Sequence, residues 1–107
     1  MLNMEAAFDR IGSALRERGY ALKKDERPAD ALEDRLVVFQ SPDMNVRVRW
    51  HGKARMLTLH VQVDGEWVEF ARRNFGPAGL EETSVDALVR AVRNEVAETS
   101  TDSDSAS

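Results

Sequence analysis

Apolar side chains recur along this chain at two different periods, and the changes of period mark out its elements. Near the start, Met4, Phe8, Ile11 and Leu15 are spaced four, three and four apart, the stripe of one helical face. Ala7 and Ala14 widen it, so a helix is predicted over residues 3–18. Asn3 suits the N-cap, Gly19 suits a left-handed residue after the last turn, and Arg16 and Arg18 complement the helix dipole. Val85, Leu88, Val89, Val92 and Val96 repeat the helical spacing near the other end. Thr83 or Ser84 is the expected cap of that second helix, with Glu81, Glu82 and Asp86 at the end that favours acids.

Between the helices the period drops to two. Residues 35–41, 45–51, 55–63 and 66–72 alternate or carry strand composition, and short turn-forming stretches join them. Ser41-Pro42-Asp43-Met44 and His51-Gly52-Lys53-Ala54 are turns by composition. Asp64-Gly65 is a two-residue hairpin signal, because a type I′ turn needs positive φ at both central positions. Tight closure predicts a register of Phe39 with Val46 and Val37 with Val48, then Val48 with Leu57 and Val46 with Leu59, then Leu59 with Phe70 and Val61 with Val68. These residues are apolar and share one face, and a one-residue slip would put charges among them. Trp50 falls on that face and is an expected core residue.

The chain is therefore read as α+β, in the order α-β-β-β-β-α: a four-stranded antiparallel meander with both helices packed on one face. The segment 20–34 is open to two readings. Tyr20 and Leu22 alternate as in a short edge strand, and Pro28 suits the start of a helical turn ending near Leu32. Residues 1–97 are expected to form a single domain. Residues 98–107, acidic and rich in Ser and Thr, are expected to be a disordered tail.

The second sheet face has a mixed composition. In the same register its rows are Leu36, Arg49, Met56, Arg73; Val38, Arg47, Thr58, Ala71; and Gln40, Asn45, His60, Glu69, extended by Gln62 and Trp67. An apolar patch set among Arg, Trp and Met is characteristic of interaction surfaces. The expected site is thus a protein-partner face of Leu36, Val38, Arg47, Arg49, Met56, Thr58, His60, Trp67 and Glu69. A second copy of the chain is the simplest partner, giving a homodimer.

Composition narrows the alternatives. The 107 residues include no cysteine, which removes disulfides and thiolate chemistry and fits a reducing compartment. No signal-like segment opens the chain and no apolar run approaches a membrane span, so a cytoplasmic setting without membrane attachment is expected. The net charge of −4 is concentrated at the end, where Glu98, Asp102 and Asp104 have no basic neighbour, leaving residues 1–97 near neutral.

His60 opposite Glu69 could serve as a general acid–base pair, giving a small enzyme or ligand binder as the alternative reading. An open sheet face, however, excludes little water, and a cross-strand charge pair accounts for the two residues equally well. A non-enzymatic module is favoured, with no catalytic residue assigned. His51 and His60 are the two histidines and do not face each other in this register, so no metal site and no cofactor is expected.

Arg47, Arg49, Lys53 and Arg55 form a basic stretch beside Trp50 that could track a nucleic-acid backbone. The near-neutral domain argues against that use. Arg72-Arg73 before a glycine-containing loop invites a phosphate site, but Glu81 and Glu82 would repel the anion.

The element order is similar to that of double-stranded-RNA-binding domains with one strand added. Those domains carry lysines at the start of the last helix, where this chain has Glu81, Glu82 and Asp86. Small size and acidic balance are also similar to those of bacterial helper proteins such as type III secretion chaperones, and of toxin-neutralising immunity proteins. Both resemblances imply a protein-binding role, and no motif carries either.

Overall fold

A computed structural model of the chain describes residues 2–27, 34–76 and 79–95. Helix α1 spans Met4–Glu17. Its start is fixed as the sequence suggests, with the Asn3 side chain accepting a 2.7 Å hydrogen bond from the Ala6 N–H. It ends at Arg18, and Gly19 takes φ of 89°. The buried face is Ala7, Phe8, Ile11, Gly12, Ala14 and Leu15.

The sheet has five strands, not four: β1 Ala21–Glu26, β2 Arg35–Gln40, β3 Asn45–His51, β4 Met56–Val63 and β5 Glu66–Asn74. They are antiparallel neighbours in chain order. The added strand is β1, the edge-strand reading of segment 20–34. Its sequence, Ala-Leu-Lys-Lys-Asp-Glu, is poor in strand formers and every residue is exposed. Tertiary pairing overrides propensity here. Asp25 receives two hydrogen bonds from Arg35 of β2, at 2.7 and 3.1 Å. The lysines on this outer strand also discourage pairing with another chain. The alternative helical turn from Pro28 lies outside the described residues, as do Val96 and the expected tail 98–107.

The first hairpin has the predicted register, Phe39 with Val46 and Val37 with Val48. Ser41 holds its turn: the hydroxyl accepts from the Asp43 and Met44 N–H groups, and its own N–H donates to the Met44 carbonyl. The second hairpin differs. Val48 pairs with Leu59, Val46 with Val61 and Trp50 with Leu57, two residues from the tight-turn expectation. The loop is four residues long, 52–55, and Arg55 enters the left-handed region at φ 50°. A two-residue slip preserves which face each side chain takes, so the apolar set stays together.

The third hairpin turns through Asp64 and Gly65 at φ 53° and 83°, as the Asp-Gly signal predicts. Val61 pairs with Val68, but a bulge follows, and Leu59 pairs with Ala71 instead of Phe70. An extra residue in one strand exchanges the faces of everything beyond it. Arg72, rather than Arg73, therefore shares a face with Thr58, and Ala71 leaves that face. The expected rows are corrected to Leu36, Arg49, Thr58, Arg72; then Val38, Arg47, His60, Glu69; then Gln40, Asn45, Gln62, Trp67.

Helix α2 spans Glu82–Glu95. It starts before the expected Thr83 or Ser84, because the Glu81 carbonyl already accepts from the Val85 N–H. One core cluster joins Phe8, Ile11 and Leu15 of α1 and Val85, Leu88 and Val92 of α2. From the sheet it takes Val37, Phe39, Val46, Val48, Trp50, Leu57 and Leu59. Trp50 is buried as expected and meets Phe75, with ring centroids 6.3 Å apart. Leu2 and Leu80 exchange backbone hydrogen bonds of 2.9 and 3.2 Å, joining the start of α1 to the approach to α2.

Candidate functional site: the outer face of the sheet

The face turned away from the core cluster, called here the outer face, carries the residues singled out from sequence. Leu36 and Val38 on β2, Arg47 and Arg49 on β3, Met56, Thr58 and His60 on β4, and Trp67 and Glu69 on β5 all share it by register. The middle of this face is unusually well covered. Thr58 is 2 % exposed and Val38 9 %, while Leu36, Arg47, Arg49, Met56, His60 and Trp67 are half-buried.

Arg47 dominates the arrangement. Its guanidinium carbon lies 4.7 Å from the centroid of Trp67, so the side chain crosses β4 from β3 to reach β5. Trp67 is placed there by its pairing with Gln62, and Gln62 accepts a 2.7 Å hydrogen bond from the Asn45 amide. No ion pair or hydrogen bond links Arg47 to another described residue. Burial, then the neighbouring Arg49 charge, pushes the Arg47 guanidinium below its ordinary pKa, although arginine keeps its proton at neutral pH.

Three buried side-chain atoms have no hydrogen-bond partner among the described residues: Arg47 Nε, His60 Nδ1 and Asn45 Oδ1. All three belong to this face. Arg47 and His60 are cross-strand partners, and Asn45 stands two residues before Arg47. Beside them, Asn45 and Gln62 line one side of an open recess of about 290 Å³ between the hairpin ends, with Ser41, Pro42 and Gly65 among its other walls.

His60 and Glu69 are brought face to face as the sequence suggests, but only in loose contact. His60 Nε2 stands 4.0 Å from Glu69 Oε1. Both carboxylate oxygens of Glu69 accept from Arg72 instead, at 2.6 and 3.0 Å. That contact is the main cause holding the Glu69 pKa below its ordinary value. His60 is pushed down by burial first and by Arg47 second, so the ring is neutral near pH 7 and its contact with Glu69 carries little charge. Sequence reasoning missed Arg72 because the bulge at Phe70 has no marker as plain as a glycine.

His51 ends β3 on the same outer face, paired with Met56 and not with His60, and its Nε2 is 3.1 Å from Thr58 Oγ1. Its pKa is lowered by burial first and then by Arg49. Among the described residues no cluster of three or more His, Cys, Asp or Glu side chains has the arrangement to hold a metal ion.

The basic stretch does not form a single track. Arg47 and Arg49 lie on the outer face, but Lys53 is in the loop, and Arg55 turns toward the Trp50 ring and donates to the Gly76 carbonyl at 2.9 Å. Arg49 makes a long 3.8 Å contact with Asp34, whose other oxygen accepts from the Gly52 N–H. Among the described residues no helix is long and apolar enough to cross a membrane. No family model, curated protein or solved structure matches this chain.

Proposed function

We propose that this chain is a non-enzymatic binding or helper module that engages a protein partner through the sheet face opposite its helices. The observation that supports this most directly is Arg47, half-buried and stacked on Trp67 with no hydrogen bond or ion pair to another described residue. A partner that brings the counter-charge is favoured at such a cation. Half-buried Leu36, Met56 and Trp67 around it supply the apolar area that protein interfaces use. The occupied Glu69 carboxylate argues for binding over acid–base catalysis. The scattered cations argue against a nucleic-acid backbone. Absence of cysteine supports a setting in a reducing compartment such as the cytoplasm.

A second copy of the chain is one form of this partner. A twofold stack would oppose two faces that each carry Arg47 without a counter-charge among the described residues, which favours a partner of different charge over a homodimer. Light scattering across the micromolar range separates the two forms: a dimer dissolved by Trp67→Asp identifies self-association. For the wider reading, pulldown with wild type and with Trp67→Asp is decisive. Loss of a specific protein partner, with an unchanged circular dichroism spectrum, is the expected result. Equal capture by both would remove the outer face from consideration.

A further inference from the structure

If the outer face binds a protein, its chemistry also defines what that protein must present. Resting on that reading, we infer that Arg47, stacked on Trp67 and flanked by His60 and Asn45, is the seat of a carboxylate side chain on an extended acidic segment of another protein.

Charge is the first argument. The whole chain is net negative at −4, yet among the described residues the outer face carries four cations, Lys24, Arg47, Arg49 and Arg72, against two acids, Glu26 and Glu69. Lys24 is paired with Glu26 at 3.2 Å and Arg72 with Glu69. Arg49 has its long contact with Asp34. Among the described residues, what remains uncompensated is Arg47, at the middle of the face. A half-buried cation without a counter-charge is destabilised until one is brought to it.

Geometry is the second argument. An arginine held over a ring has its guanidinium plane fixed, so its edge N–H groups are presented as a fork that matches a carboxylate. The ordering cost of that fork is met before the ligand arrives.

The third argument separates a protein segment from a nucleic acid and from a small acid. A nucleic acid needs several cations in series, and one arginine without a counter-charge among the described residues is too few. A small free acid would fill the Arg47 position but leave the half-buried Leu36 and Met56 uncovered, which an extended segment does not.

The test is a nuclear magnetic resonance titration of the full chain, read at the Arg47 Nε–H and the Trp67 indole N–H. The probes are a synthetic peptide alternating Glu and Thr around a central Leu, its Gln-for-Glu counterpart, and a single-stranded RNA oligonucleotide. Saturable shifts at both reporters with the Glu peptide are expected. The Gln peptide and the Arg47→Gln variant should each bind about tenfold more weakly or worse, the scale of a lost charged hydrogen bond. Arg47→Lys, which keeps charge but not the fork, should fall between. Circular dichroism of each variant establishes that it is folded.

Equal binding of the Glu and Gln peptides overturns the inference, as does saturation at the reporters by RNA alone. Reporter shifts that follow protein concentration without any peptide overturn it in favour of a second copy. If no acidic peptide binds while Trp67→Asp still abolishes capture of a protein partner, the carboxylate inference falls and the outer-face reading survives. If both fail, that reading falls too.

Discussion

Arg47 on β3 and Trp67 on β5 are joined across the width of β4, with the guanidinium carbon 4.7 Å from the ring centroid. Neither residue is a register partner of the other, so the contact is made by side-chain reach alone. A cation–π contact of this kind contributes about 0.5–2 kcal/mol according to its desolvation. A double-mutant cycle of Arg47→Met and Trp67→Leu, followed by urea unfolding, should give a coupling of about 0.5–1 kcal/mol. Arg47→Met alone should cost less than that coupling, because it also removes a half-buried cation that has no counter-charge among the described residues. A coupling near zero would show that the stacking is not maintained in solution.

The two histidines predict an acid-sensitive fold. Burial lowers both His51 and His60 below the ordinary imidazole value of 6.5. In the unfolded chain they take up protons near that value, while in the folded chain they resist until lower pH. Stability is therefore complete above pH 6.5 and declines as pH falls from there toward the folded values. Unfolding midpoints measured across this window should fall with acidification. The double variant His51→Gln/His60→Gln should flatten the slope, and an unchanged slope would contradict the burial of both rings.

Asp25 behaves in the opposite pH range. Its hydrogen bonds from Arg35 are the leading cause of a pKa below the ordinary 3.8. Its contribution is present above that value and is lost as pH falls through the lower folded value. Asp25→Asn should cost about 1 kcal/mol, the usual range for a charged hydrogen bond discounted for the partial exposure of the pair. Hydrogen exchange should locate the effect in residues 21–26, with the middle strands unaffected. A uniform increase in exchange would mean that β1 is not held separately.

Gly12 sits within α1 against the Phe39 ring, and a Cβ placed there would lie 3.0 Å from Phe39 Cζ. In an open helix, Gly→Ala is favourable by about 1 kcal/mol. Here the close contact opposes that gain, since overpacking costs about 1–3 kcal/mol. Gly12→Ala should therefore be neutral to destabilising in the native sequence. In a Phe39→Leu background the same substitution should stabilise. If thermal unfolding shows the same sign in both backgrounds, the helix–strand contact is not limiting.

Much of this fold can be read from residue pattern, and the exceptions have identifiable physical causes. The face assignments of Val46, Val48, Leu57 and Leu59 survive because the error in the second hairpin is an even number of residues. Apolar alternation constrains face strongly but alignment along the strand only weakly. Alignment was decided by a four-residue loop in which Arg55 adopts a conformation that nothing in its side chain advertises. The bulge after Leu59 is an odd displacement, and it exchanged Arg73 for Arg72 on the outer face. Strand β1 was visible only as the Tyr20–Leu22 alternation, because its order comes from Arg35 and the β2 backbone rather than from its own residues. Of the site, Arg47, His60, Trp67 and Glu69 could be placed from alternation. The Arg47–Trp67 stack and the capture of Glu69 by Arg72 depend on the bulge and on rotamers, which a linear pattern does not encode.

Because each strand pairs with its neighbour in the chain, the sheet can zip up through closures of short loops, each with a small entropic penalty. The bridge between Leu2 and Leu80 is of another kind, since it unites positions at opposite ends of the folded sequence. Assembly is accordingly expected to run in two kinetic stages, with a rapidly formed ribbon of hairpins waiting for the flanking helices to find each other. Until they do, Val46, Leu57 and Leu59 stay in water, and the vulnerable interval for misassociation is the one before the two ends of the chain meet.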